Sequence, residues 1–81
     1  MNRTNMLFVF SKNLKKARKI KRFTQNFVCY NLRLKMRMYA YYEAGICLPN
    51  LNTFRKLCEF LDVSPQVLLG MRAPKKFSSG F

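Results

Sequence analysis

The 81-residue sequence contains no histidine, and its only acids are Glu43, Glu59 and Asp62. Without histidine there is no histidine-assisted nucleophile and no imidazole metal ligand, and three scattered carboxylates offer no paired acid and base. Catalysis is therefore not expected, and the chain reads as a non-enzyme. Cysteine is sparse too: Cys29, Cys47 and Cys58 show no C-x-x-C spacing. No metal site or other cofactor is expected from them, and an odd count argues against a disulfide framework. Small thiols in a reducing compartment fit better. No apolar run approaches the roughly 20 residues of a membrane span, and the run from Met6 to Phe10 is shorter than a secretory core. A cytoplasmic protein with no membrane partner is expected.

What the sequence has in excess is positive charge. Sixteen lysines and arginines leave a formal net charge of +13. With so few acids interspersed, the field reaches about a Debye length of ~8 Å or more, and the expected partner is a polyanion, nucleic acid before membrane. Eight Phe and four Tyr within an apolar fraction near one half give the chain enough material to fold. At this length one small core is all it can hold.

Helix punctuation recurs along the chain. Phe10, Leu14, Ala17 and Arg18 share one face of a first helix that starts near Asn5 or Ser11 and runs to about Lys21. Thr24 can cap a second helix over residues 25–31, with Val28 and Leu32 at spacing four. A break at residues 32–34 precedes a third helix over residues 36–44, in which Met38, Tyr39 and Tyr42 form a packed side. Met36, Arg37, Ala40 and Tyr41 form its free side. Gly45 supplies a residue tolerant of positive φ, and Pro49 follows in a loop. Asn50 caps a fourth helix over residues 51–61, where Phe54, Leu57, Cys58 and Leu61 make a core stripe. Ser64 and Pro65 open a short fifth helix that Gly70 closes. The fold class is thus all-α with five helices. The expected domain is residues 10–70, preceded by an extension of residues 1–9 and followed by a basic tail of residues 71–81.

Residues 10–70, about three quarters of the chain, resemble the lambda-repressor-like helix-turn-helix group, the Xre and Cro/C1-type regulators. The resemblance rests on Leu14, Ala17-Arg18, Thr24-Gln25, Val28-Cys29, Leu32, Leu34, Tyr42, Phe54, Leu57, Leu61 and Val63-Ser64, in order and without gaps. It rests most on the Glu-x-Gly-x-x-x-Pro signature from Glu43 through Gly45 to Pro49. Two positions depart from the pattern: Arg33 stands where the family has Gly in the turn, and Lys35 where it has Ser or Thr. Arg in a left-handed conformation costs on the order of 1–2 kcal/mol more than Gly, so a strained or reshaped turn is expected, and Lys35 removes a side-chain cap.

The resemblance implies a sequence-specific regulator of double-stranded DNA, repressor-like and of phage or mobile-element type. The second helix would cross the backbone and the third enter the major groove, with two subunits on half-sites about one turn apart. Gln25, Arg33 and Lys35 would touch phosphate, and Met36, Arg37, Ala40 and Tyr41 would read bases, Arg37 being the one able to pair with guanine through two bonds. The resemblance also sets Arg18 opposite Glu43 as a structural ion pair. A homodimer is expected near the fifth helix, because Val67, Leu68, Leu69, Met71, Phe77 and Phe81 supply more apolar surface than one short helix can hide, with Met6 to Phe10 or the tail contributing. Two other functions fit the residues: an antitoxin-type DNA-binding interaction protein, and a nonspecific nucleic-acid binder driven by charge alone.

Overall fold

The computed structural model describes residues 4–71, which form five α-helices and no strand: α1 Thr4–Ile20, α2 Gln25–Leu32, α3 Met36–Ala44, α4 Leu51–Leu61 and α5 Pro65–Leu68. Three helices start on side-chain caps. Thr24 Oγ1 accepts from the Phe27 N–H at 3.0 Å, Asn50 Oδ1 from the Thr53 N–H at 2.8 Å and Ser64 Oγ from the Val67 N–H at 3.2 Å. Each satisfies a backbone donor that the first turn leaves unpaired.

All five helices end in the same way. The residue after the last turn takes positive φ at Arg22, Arg33, Gly45, Asp62 and Gly70. The next N–H then reaches back five residues, from Phe23 to Arg18, Leu34 to Cys29, Ile46 to Tyr41, Val63 to Cys58 and Met71 to Gln66. This is the Schellman arrangement, which usually places an apolar residue after the left-handed one. Phe23, Leu34 and Val63 do pack against the core from those positions. At Arg33 the backbone adopts φ 58°, ψ 46°, so the turn keeps the left-handed geometry despite its side chain. Lys35 makes no side-chain cap for α3.

Every helix contributes to one core. Phe10, Leu14 and Ala17 of α1 meet Val28 and Cys29 of α2, Tyr39 and Tyr42 of α3, Leu57, Cys58 and Leu61 of α4, and Leu68 of α5. Full burial of such aliphatic and aromatic side chains stabilises by about 1.5–3 kcal/mol each. The three cysteines are free thiols, Cys29 and Cys58 buried and Cys47 half-buried. Asn13 of α1 donates its amide to the Val67 carbonyl at 2.9 Å, tying α1 to α5. Gly70 approaches α1 so closely that a Cβ there would stand 2.4 Å from Val9 Cγ1.

The first helix takes the earlier of its two expected starts, at Thr4, so residues 4–9 belong to α1. Two expectations change. Met38 is 44% exposed rather than packed with Tyr39 and Tyr42. Arg18 of α1 engages Glu43, which centres the inward arc of α3 on Tyr39, Tyr42 and Glu43 and leaves Met38 on the rim, its sulfur 3.9 Å from Cys47 Sγ. Leu68 is fully buried and closes the core instead of standing free, whereas Val67 and Met71 are exposed. Phe77 and Phe81, and the tail beyond Met71, lie outside the described residues.

Candidate nucleic-acid interface

The segment from Thr24 to Ala44 presents two helices joined by a tight left-handed turn. Arg33 and Lys35 flank that turn and are exposed, as are Met36, Arg37 and Tyr41 on the outward side of α3. Ala40, between them, is partly buried, so the centre of this side lies close to the helix backbone.

Behind it lies a single carboxylate. Glu43 Oε2 accepts from Arg18 Nε at 2.6 Å and from the Tyr39 hydroxyl at 2.5 Å; Oε1 accepts from Arg18 Nη2 at 3.1 Å and from Gln25 Nε2 at 2.9 Å. Arg18 Nη1 also donates to the Phe23 carbonyl at 2.8 Å, at the turn between α1 and α2. The pair is withdrawn from solvent, with side-chain exposures of 10% for Arg18 and 3% for Glu43. Among the described residues no buried side-chain nitrogen or oxygen lacks a partner. Burial would push the Glu43 carboxyl up, but the hydrogen bonds from Arg18, Tyr39 and Gln25 outweigh it and hold the group below the usual carboxylate range. The bond to Glu43 raises the Arg18 guanidinium in turn. Burial first, and then the bond to Glu43, pushes the Tyr39 phenol far up, so it stays a donor.

Residues of α1, α2 and α3 therefore converge on one group. Arg18 and Glu43 were paired from the resemblance. Tyr39 and Gln25 complete the network, and neither was placed there from the sequence. For Tyr39 the signal was present: a phenol on the inward arc of α3 needs a partner, and Glu43 is one turn on. Gln25 is half-buried, with one amide hydrogen committed to Glu43 and the second free for another acceptor.

The other two acids are also engaged, Glu59 with Arg55 at 3.2 Å and Asp62 with Lys21 at 3.7 Å. Among the described residues Arg33, Lys35 and Arg37 have no carboxylate partner, so the surface from α2 to α3 carries uncompensated positive charge. No helix among the described residues is long and apolar enough to cross a membrane, and no three His, Cys, Asp or Glu side chains gather there to hold a metal.

This all-helical architecture, with its short tight connection between α2 and α3, is consistent with a helix-turn-helix domain. Over 61 residues, 75% of its length, the chain is 39% identical to the protein of Bacillus subtilis (strain 168) described as "Uncharacterized HTH-type transcriptional regulator YqaE". The match covers 53% of that protein, so the chain spans about half the length of the curated relative it matches. The similarity supports a helix-turn-helix transcriptional regulator family for this chain. The chain matches no family profile and no solved structure.

Proposed function

We propose that the protein is a sequence-specific regulator of transcription in the Xre and Cro/C1 manner, repressor-like and of phage or mobile-element type. It works in the cytoplasm on double-stranded DNA, inserting α3 in the major groove and laying α2 across the backbone. One observation carries this reading: the exposed basic side of α3 is braced from behind by a buried carboxylate bonded to α1, α2 and α3 itself. A reading helix must be held rigidly to discriminate bases, and the brace does that without using the outward residues. Arg37 is assigned to guanine O6 and N7, Met36 to a thymine methyl, and Tyr41 to a base or phosphate, with Ala40 permitting close approach. Arg33 and Lys35 take phosphates, and Gln25 offers its remaining amide hydrogen to another.

We assign the active form to a homodimer. An apolar groove of about 180 Å³ opens between α1, α4 and α5, lined by Met6, Phe10, Leu48, Leu51, Phe54 and Leu69. Leu51 beside it is 83% exposed, and Val67 and Met71 add further apolar surface near α5. A second copy seated there would cover these side chains and set two α3 helices on successive half-sites. Sedimentation at micromolar concentration tests this, and a strict monomer on and off DNA overturns it.

The charge of +13 favours a second reading, nonspecific coating of nucleic acid. Titration of the promoter fragment upstream of the protein's own coding region, against unrelated competitor and at two salt concentrations, separates the two. A regulator retains the promoter against competitor, whereas a coat is displaced equally by either DNA.

A further inference from the structure

Lys12, Lys15, Lys16 and Lys19 lie at i, i+3, i+4 and i+7 of α1 and are all exposed, forming one stripe. The opposite side of α1, with Phe10, Leu14 and Ala17, is in the core. Among the described residues no carboxylate compensates the stripe. The chain has three acids, and Arg18, Arg55 and Lys21 engage them. Lys12 and Lys16, like Lys15 and Lys19, are like charges one turn apart, a spacing that opposes helix formation. A shallow groove of about 440 Å³ runs among the lysine stems. At one end the Lys12 ammonium sits 5.0 Å from the centre of the Phe8 ring.

The stripe lies on another helix from the surface formed by α2 and α3, on the side of α1 opposite its core residues. Helix α1 meets α3 through Arg18, bonded to Glu43, and through Ser11, which lies against Gly45. The four lysines take part in neither contact. The outward side of α3 is itself turned away from the side on which Glu43 and Tyr39 face α1. Whether one duplex reaches both surfaces is read directly by the salt dependence measured below.

We propose that the α1 stripe is a second phosphate-binding surface that takes a second segment of double-stranded DNA, so that the protein joins two duplexes. The proposal rests on the reading of α2 and α3 as a DNA surface. The dimensions suit a duplex: from Lys12 to Lys19 the helix rises about 10.5 Å, a length over which duplex DNA carries about six phosphate charges. A membrane is the competing partner: Phe8 and Ile20 are exposed at the two ends of the stripe, but two side chains twelve residues apart do not make the continuous apolar face that an interfacial helix buries.

The test uses the full chain and two variants, Lys12→Gln/Lys15→Gln/Lys16→Gln/Lys19→Gln on the stripe and Arg33→Gln/Lys35→Gln/Arg37→Gln on the α2 and α3 surface. A bead-tethered promoter duplex is asked to capture a second, labelled duplex through the protein. Affinity for a single promoter duplex is measured in parallel against salt. The stripe variant is expected to lose capture at least tenfold, while its single-duplex salt slope changes by less than about one. Capture equal to the unmodified chain would overturn the proposal. So would a slope smaller by about 3.6, the value for four lost phosphate contacts, because the stripe would then lie on the first duplex. Stripe-dependent binding to phosphatidylserine vesicles without duplex capture would assign the surface to a membrane and overturn it as well. Failure of the underlying reading is distinct: single-duplex affinity unchanged in the Arg33, Lys35 and Arg37 variant would overturn the α2 and α3 surface and the two-duplex arrangement with it.

Discussion

Glu43→Ala removes the acceptor for three side chains at once. Arg18 keeps only its bond to the Phe23 carbonyl, Tyr39 loses the partner of its buried hydroxyl, and the half-buried Gln25 amide can turn to water. A stranded buried charge costs roughly 3–5 kcal/mol and an unsatisfied hydroxyl about 1–3 kcal/mol. The two share one network and do not add, so the expected loss is about 3–5 kcal/mol. At ~0.05–0.15 kcal/mol per residue, a chain of this size has roughly 4–12 kcal/mol to lose. Each kcal/mol moves the midpoint of a domain this small by about 4–8 °C, so Tm should fall by at least about 12 °C in a far-UV circular dichroism melt. Arg18→Met/Glu43→Leu leaves no isolated charge and should recover much of that loss. The sign of the pH dependence is set as well. A carboxyl held below its unfolded value near ~4.3 stabilises the fold above that pH. The contribution is lost as pH falls through the folded value, because the unfolded chain takes up the proton first. Acid should therefore lower Tm more steeply in the unmodified chain than in Glu43→Gln. A loss under ~1 kcal/mol for Glu43→Ala, as for an exposed pair, or parallel acid profiles, would refute the brace.

Arg33→Gly relieves a left-handed arginine and should raise stability by about 1 kcal/mol while weakening DNA binding; a melt and a binding titration check both, and tighter binding refutes the trade. Gly70→Ala sets a Cβ 2.4 Å from Val9 Cγ1 at φ +69° and should cost more than about 1–3 kcal/mol, with partial rescue by Val9→Ala in the same chain. No rescue in denaturant melts would show that the close approach is not the cause. Arg37→Ala should lose about 1–3 kcal/mol of operator affinity and relax preference at one base pair per half-site. Gln25→Ala should weaken all sequences alike and also lower stability by about 1 kcal/mol or less through its bond to Glu43. Equal losses on operator and random DNA would reduce Arg37 to a phosphate contact.

The starts of the helices were legible because their caps are local. Thr24, Asn50 and Ser64 each bond a backbone N–H three residues on, so residue type and position suffice. The ends were legible only in part. Gly45 and Gly70 announce positive φ, but Arg22 and Asp62 adopt it without any such mark, and their apolar successors Phe23 and Val63 are the only trace. At Arg33 the resemblance exposed the departure that composition alone would have hidden. Met38 was misplaced because an i, i+4 relation to Tyr42 fixes a face only to within the width of an arc. The rotation of α3 within that arc depends on what its inward side meets, the core around Tyr39 and Tyr42 and Arg18 of α1. For the same reason the sequence did not reveal that Gln25 and Tyr39 share an acceptor, since which donors converge on Glu43 depends on how three helices cross.

The contact between Gly70 and Val9 has a consequence for how the domain can be joined to other things. Val9 lies in the second turn of α1, and Gly70 is one residue short of the last described position, so the opening of α1 and the close of the described domain are neighbours. Neighbouring ends are the property that lets a domain be inserted into a host loop or circularly permuted without tearing its core. A host loop carrying the described domain would leave and rejoin it at neighbouring points.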